Sequence, residues 1–218
     1  MNTLPSLAAC KRACGMSLIE VLVSLVILSL GVLAVVALQL VSKRNNADAG
    51  QRTTAAQLAY DMIERMRANS SPAILNLYRT GTSPLGRASP GATEPSPNCK
   101  TASCTPAQMA THDLWEWEQT LYGAAETVGG NRTGGVVLPT ACIDGPNGGG
   151  DGTYTVTIVW RGTVGIPDAN AGTATAATAI GCGRNVQVNS TFIYGETGND
   201  DRFRRSVSIP GFITARQS

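Results

Sequence analysis

The sequence has little charge of either sign, few aromatic residues and a single histidine. Charged residues make up 15% and aromatic residues 5% of its 218 positions. The formal net charge of +2 comes from Lys11 and Arg12, since acidic and basic side chains balance from Met16 onward. Nucleic-acid binding through counterion release needs a clustered cationic excess, so this composition argues against it. A hydrophobic content of 43% also argues against a disordered chain.

Groups for catalysis and metal binding are equally scarce. His112, the only histidine, would have to serve any serine or cysteine triad. No nucleophile motif lies near it, so we predict that it occupies a solvated helix face. The loops at 144–151 and 196–201 carry acidic oxygens but do not fit an EF-hand, which favours plain turns over calcium sites. We predict a noncatalytic protein without a cofactor or metal.

One long apolar run stands out against this background. The 22 residues from Val21 to Ser42 carry no charge. As a helix they would extend about 33 Å, which is enough to cross the hydrocarbon core of a bilayer. Lys11 and Arg12 precede the run and should stay in the cytoplasm, which would send the C-terminus across the membrane.

Three kinds of N-terminus could contain such a run. A secretory signal would have a shorter apolar core and a small-residue cleavage site. Leu7-Ala8-Ala9-Cys10 has the local form of a lipoprotein lipidation box, but no apolar stretch precedes Cys10. The third kind is a membrane segment with a function of its own. Glu20 indicates this kind, because an ionisable group at the head of a membrane segment is costly and usually marks function.

The segment from Gly15 to Val23, GMSLIEVLV, resembles the processing site of a type IV prepilin. The resemblance implies that a prepilin peptidase cleaves between Gly15 and Met16 and methylates the new amine of Met16. Glu20 is then the fifth mature residue, the position of the family's hallmark glutamate. Methionine departs from the usual phenylalanine at the first mature position. The family also implies an assembly role in which Glu20 pairs with the Met16 amine of a neighbouring subunit.

The helix should continue beyond the membrane. Apolar residues recur at spacings of three and four and form one stripe: Ala55, Leu58, Ala59, Met62, Ile63 and Met66. Asn69-Ser70-Ser71-Pro72 predicts the end of the helix near Ala68. We expect the stripe to pack on the protein's own sheet rather than in a free coiled coil.

These boundaries divide the chain into a leader at 1–15, a transmembrane assembly helix at 16–42, its amphipathic continuation at 43–70 and a periplasmic head at 71–218. Within the head, residues 79–106 should form an irregular loop. A short helix should follow from Pro106 to Leu121, capped by Thr105 with Gln108. Its tryptophans favour packing in the core or between subunits over an adhesive surface.

The C-terminal half predicts strands without intervening helices. Strands are expected at Tyr154–Trp160, Val186–Tyr194 and Arg204–Ile209, and 136–138 could begin another. Such a pattern favours an antiparallel sheet and an α+β fold with a long N-terminal helix packed on a small sheet. It also matches the ladle shape of the pilin family.

Cysteines are counted after removal of the leader, which would discard Cys10 and Cys14. Disulfides are expected in a domain sent across the membrane, and four cysteines allow three pairings. We favour Cys99 with Cys104 and Cys142 with Cys182. A zinc site is disfavoured because the chain has no CxxC pair and lies in an oxidising compartment.

Beyond its N-terminus the chain resembles minor pilins of the PilV type. Four stretches carry this resemblance: SLIEVLVSLVILSLGVLAVVALQ, LAYDMIERMRAN, CTPAQMATHDLWEWEQTL and YTVTIVWRG followed by Cys182. Ala37 also stands where the family's major pilins usually carry a proline. The resemblance implies a noncatalytic subunit of the tip and priming complex. Its partners would be other minor pilins, the major pilin and a large tip adhesin, and its roles would be pilus assembly, twitching motility and adhesion.

It further implies anchoring in the inner membrane before assembly and location at the pilus tip afterwards. The main alternative is a minor pseudopilin at the tip of a type II secretion system. A membrane-anchored periplasmic enzyme or binding module is a second alternative, and the sequence offers it no convergent set of polar residues. A competence-pilus subunit that contacts DNA is a third, through a patch at Arg202, Arg204 and Arg205.

Overall fold

The computed structural model describes residues 17–81, 83–86, 93–124, 126–166, 181–184, 186–188, 191–195 and 201–216. The predicted cleavage site at Gly15 and Met16 lies outside the described residues, as does most of the loop at 196–201. The chain divides into two compact units, Met1–Lys43 and Arg44–Ser218. Each unit is described by itself below.

The described part of the first unit is helical and predominantly apolar. It belongs to α1, whose bounds are Leu18–Ala68. All of its large apolar side chains between Leu18 and Val41 are 42–78% exposed. Helix α1 is long and apolar enough to cross a membrane. An apolar surface on every side of a helix needs lipid or other helices around it.

The described residues of the second unit form the end of α1, two further helices and eight strands. The helices are α2 (Pro72–Tyr78) and α3 (Pro106–Leu121). The strands are β1 (Leu85–Gly86), β2 (Thr127–Val128), β3 (Asn131–Arg132), β4 (Thr140–Asp144), β5 (Gly152–Arg161), β6 (Gln187–Val188), β7 (Thr191–Phe192) and β8 (Arg204–Ile213). The main sheet has the order β1-β4-β5-β8, and its neighbouring strands are all antiparallel. The predicted α+β class is therefore confirmed.

The predicted C-terminal end of α1 and the predicted start of α3 are both confirmed. Helix α1 ends at Ala68, before the predicted stop. Helix α3 begins at Pro106 with the predicted capping box, in which the Thr105 side chain accepts from Gln108 N and the Gln108 side chain accepts from Thr105 N. Local side-chain chemistry determines these ends, so the sequence was sufficient to predict them.

Two predicted features of the head were wrong, and one helix was not predicted. Val186–Tyr194 is not one strand, because β6 and β7 pair with each other (Gln187↔Phe192) and the chain reverses between them. Residues 136–138 form no strand, and Leu138 has a positive φ of 50°, outside the extended region. Pro72 does not only end α1: it also opens the unpredicted α2, since proline is compatible with the first helical turn.

The apolar stripe of α1 packs on the head's own sheet, as predicted. Five of its six residues are buried: Ala55, Ala59, Met62, Ile63 and Met66. They join the buried side chains of Val156 and Ile158 on β5 in one core. A Cβ atom on Gly211 of β8 would lie 2.7 Å from Cγ2 of Ile63, so the glycine allows the helix to lie directly on this strand.

Candidate functional site

Glu20 lies in the first turn of α1, at the head of the uncovered apolar surface. Its backbone N–H donates to Ser17 O over 3.0 Å, and its carbonyl accepts from Ser24 Oγ over 2.7 Å. A carboxylate is favourable at this end of a helix because of the unpaired N–H groups there. Within the described residues no side chain pairs with the Glu20 carboxylate.

A polar cluster ties the end of α1 to α3 within the head. Arg65 lies at its centre, and its Nη1 is 3.2 Å from Asp113 Oδ1 and 2.8 Å from Glu116 Oε2. Its Nε is 2.9 Å from Asp61 Oδ2, one turn earlier on α1. Burial lowers the pKa of the Arg65 guanidinium, but hydrogen bonds to Glu116 and Asp61 outweigh it and hold the pKa above its usual value. The cluster therefore keeps a charged arginine at the helix contact.

Asp113 also links α2 to this cluster. It accepts from Tyr78 Oη through Oδ2 at 2.5 Å, and both residues are buried. Burial and this hydrogen bond raise the pKa of Tyr78. Asn69, just after α1, donates to Pro106 O at the start of α3 over 2.8 Å. One carboxylate thus receives donors from two other helices, which makes Asp113 the main polar link among the three.

The Cys99–Cys104 disulfide closes a small loop in front of α3. It spans a sequence separation of 5, and Lys100 Nζ within it lies 2.5 Å from Glu116 Oε1. Burial raises the pKa of Glu116, but hydrogen bonds from Lys100 and Arg65 dominate and lower it. Glu116 therefore connects the disulfide loop to the centre of the cluster.

The prediction that His112 occupies a solvated helix face was wrong. His112 is 2% exposed, and its Nε2 lies 3.3 Å from Glu94 Oε1. Its ring centroid is 5.8 Å from that of Trp115. The segment before the disulfide loop supplies Glu94, so a residue 18 positions earlier in the chain decides the environment of this histidine.

The second disulfide joins the sheet to a distant segment. Cys142 on β4 pairs with Cys182 over a sequence separation of 40. Arg204 on β8 donates to Cys182 O from Nε and Nη2, over 3.0 and 2.6 Å. The structure thus contains both disulfides that the sequence favours. Arg204, a member of the candidate DNA patch, is engaged in holding this segment.

Acidic and amide oxygens of the first glycine-rich loop serve as internal acceptors. Asn147 Oδ1 accepts from Arg79 Nη2 over 3.0 Å, and Asp151 Oδ1 accepts from Ala215 N over 2.6 Å. In the part of the chain that the structure describes, no group of three or more His, Cys, Asp or Glu side chains could hold a metal ion. Of the second loop, only Asp201 is described.

Sequence reasoning missed the role of Asp113, although the sequence contained a signal for it. The buried positions of α3 include Ala110, Asp113, Trp117 and Leu121 at helical spacing. Asp113 is therefore a charged residue within an otherwise apolar stripe, and buried charges require partners. The identity of those partners, Arg65 and Tyr78, came only from the packing of the helices.

Comparison with known protein families gives two matches. Residues 10–36 match the prokaryotic N-terminal methylation motif, and residues 37–115 match the model described as type IV pilin Tt1218. Together they support a type IV pilin. The pilin match covers the amphipathic part of α1, α2 and most of α3, and it ends before the main strands of the sheet. Neither a curated protein nor a solved structure matches the chain.

The matches have direct consequences for the N-terminus. The methylation motif implies processing by a prepilin peptidase and assembly with other pilins. The apolar helix and the motif fit anchoring in a membrane followed by incorporation into a pilus. The pilin family is structural and noncatalytic.

Proposed function

We propose that this pilin is a minor subunit of a type IV pilus, of the PilV type, that acts without catalysis in the tip and priming complex. The leader 1–15 is removed between Gly15 and Met16, and the Met16 amine is methylated. Residues 16–42 form the transmembrane and assembly helix, 43–70 form its amphipathic continuation, and 71–218 form the periplasmic head.

The proposal depends chiefly on a carboxylate at the head of an apolar surface that the described part of the chain leaves exposed. The large apolar side chains from Leu18 to Val41 remain 42–78% exposed among the described residues. Lipid covers them before assembly, and the helices of other subunits cover them afterwards. A carboxylate among such helices needs a cationic partner. The methylated amine of Met16 on a neighbouring subunit supplies one for Glu20.

A minor role is supported by the helix itself. Ala37 stands where major pilins usually carry a proline, and the uncharged run contains one glycine, Gly31, and no proline. Helix α1 is accordingly unbroken from Leu18 to Ala68. The head would reach the cell surface at the pilus tip, beside other minor pilins, the major pilin and a large adhesin.

Gene deletion with complementation tests this function. We expect deletion to reduce piliation and twitching and to leave enzyme secretion intact. The wild-type gene should restore piliation and twitching. A Gly15→Val variant should keep residues 1–15 by intact-mass measurement and fail to restore piliation. Gly150→Ala is the matched control, because it lies in a loop of the head outside the assembly helix and the added Cβ would meet no neighbouring atom within 4 Å, and it should behave as wild type.

Two outcomes would contradict the proposal. Lost secretion with normal piliation would assign the chain to a type II secretion pseudopilus. Removal of the leader at another position, or full activity with the leader retained, would overturn the processing site at Gly15 and Met16.

A further inference from the structure

One end of the head combines exposed aliphatic side chains with arginines. Val137, Val164 and Ile166 are 48%, 42% and 50% exposed. Their two loops lie against the part of α1 that enters the head: Val137 N donates to Gln51 Oε1 over 2.9 Å, and Thr163 N donates to Asp48 Oδ1 over 3.2 Å. We call this surface, made by residues 48–52, 136–138 and 162–166, the rim.

A cleft opens in the rim between α1, β5 and β8. Its volume is about 340 Å³, and it is lined by Asp48, Ala49, Arg52, Trp160, Arg205 and Ser206. Arg205 is held beside the rim because Nη2 donates to Val164 O and Nη1 donates to Arg202 O. Trp160 is 2% exposed, and its buried Nε1 has no acceptor within the described residues. The cleft thus combines two guanidinium groups with a single carboxylate, that of Asp48.

The charge of the cleft favours an anion. Arg52 is exposed, and no described residue forms an ion pair with it. Asp48 opposes the two guanidinium groups, but its Oδ1 already accepts from both Thr163 N and Thr163 Oγ1, the latter over 3.1 Å. Two cations therefore face one partly satisfied carboxylate. A phosphate oxygen suits both arginines.

Chain length sets an upper limit on the distance between Asp48 in the rim and the end of the apolar segment. Asp48 follows Ser42 by six residues, which span at most about 20 Å even when fully extended. Lys43 and Arg44 come directly after the uncharged run. Aliphatic and basic side chains on one surface are the composition that binds the boundary of an anionic membrane.

We propose that the rim docks on an anionic phospholipid surface while the subunit is membrane-anchored, with a headgroup phosphate in the cleft beside Arg52 and Arg205. Docking would orient the head on the membrane before assembly and end when the subunit is extracted into a filament. The inference rests on the membrane anchoring in the proposed function, but not on a location at the pilus tip.

Hydrogen exchange of the full chain in nanodiscs tests the proposal. Amides at 136–138 and 162–166 should exchange more slowly when phosphatidylglycerol is added to phosphatidylcholine. High salt should remove the protection, because it shortens the reach of charge interactions. The loop at 145–150 is the internal control, since Gly149 contacts Pro72 and Asn76 on α2.

Two matched variants separate local charge from net charge. Arg52→Gln should lower the ratio of docked to free head about fivefold, the effect of one basic residue at an anionic surface. Arg216→Gln removes the same charge beside Ser70, away from the rim, and should retain the protection.

Equal exchange in the two lipids, or equal loss in both variants, would overturn the proposal. Protection that requires a second pilin subunit and not phosphatidylglycerol would do the same and would assign the rim to a protein contact. A chain that does not stay with the nanodisc would overturn the membrane anchoring itself, a failure distinct from that of docking.

Discussion

Two sections of helix α1 differ in how far their apolar side chains are buried. Between Val21 and Ser42, α1 is apolar on every side, and its large side chains stay exposed. Between Ala55 and Met66, it is apolar along one stripe, and that stripe is buried against the head. Among the described residues the first section stays exposed, while the second packs in the core of the head. One helix thus leaves one section available to lipid or to other subunits and uses the other to stabilise the head.

This contrast predicts that truncating a side chain packed against the buried section of α1 destabilises the head, whereas truncating one in the exposed section does not. Trp117→Ala should lower the free energy of unfolding by about 3–5 kcal/mol, because it leaves a cavity against α1. It also removes the hydrogen bond from Trp117 Nε1 to Leu58 O, which measures 2.8 Å. Denaturant unfolding of the full chain in detergent, followed by near-ultraviolet circular dichroism, measures the change.

Leu33→Ala is the control from the uncovered section, where Leu33 is 65% exposed. It should leave head unfolding unchanged. An equal loss in both variants would show that the apolar section also stabilises the head, and the contrast between the two sections would disappear.

The two disulfides differ in the length of chain that they close, one joining the sheet to a segment far along the sequence and the other closing a short loop before α3. Cys142–Cys182 spans 40 residues and Cys99–Cys104 spans 5. Loop entropy therefore predicts losses of about 4 kcal/mol for the Cys142→Ala/Cys182→Ala pair and about 2 kcal/mol for the Cys99→Ala/Cys104→Ala pair. Parallel denaturant titrations give both values. The reverse order would mean that contacts of the small loop, such as Lys100 with Glu116, outweigh chain entropy.

A pH-dependent effect is predicted for the polar contact among the three helices. The pKa of Tyr78 is raised above its usual 10.0 by burial and by Asp113. The unfolded chain therefore loses this proton first, so stability is fully present below about pH 10 and falls as the pH rises further. Each such group contributes about 1.4 kcal/mol per pH unit. Tyr78→Phe should make the alkaline decline shallower by that amount.

Tyr194 should retain its own contribution in this variant, because burial raises its pKa as well. Tyr60→Phe is the matched control, since Tyr60 is 56% exposed on α1. Unfolding titrations between pH 8 and pH 12 measure the slopes. An unchanged slope in Tyr78→Phe would show that Tyr78 ionises in the folded head at its ordinary pKa.

Sequence reasoning worked best where a feature depends on near neighbours. The end of α1 and the capping box of α3 follow from residues within one or two turns. Strand β5 was also predicted, although it extends beyond the predicted bounds to Gly152 and Arg161. The short helix α2 was missed because Pro72 was interpreted only as a stop.

Sequence reasoning failed where two distant segments meet. The segment Val186–Tyr194 has the composition of a strand, yet it folds back on itself as β6 and β7. His112 has a polar side chain on a helix, yet Trp115 and the distant Glu94 enclose it. Composition cannot specify such contacts, because each depends on which other segment of the chain packs beside it in the folded protein.

The sequence by itself determined the features that need no tertiary partner: the apolar run, Glu20 at its head, the amphipathic stripe and the predicted prepilin processing site. Hydrophobic periodicity and local motifs encode these features directly. Only the tertiary structure decided that Asp113 joins Arg65 and Tyr78, and that two loops meet α1 at Gln51 and Asp48. The physical reason is that a buried charge demands a partner but does not specify which one, and only packing brings that partner within hydrogen-bonding distance.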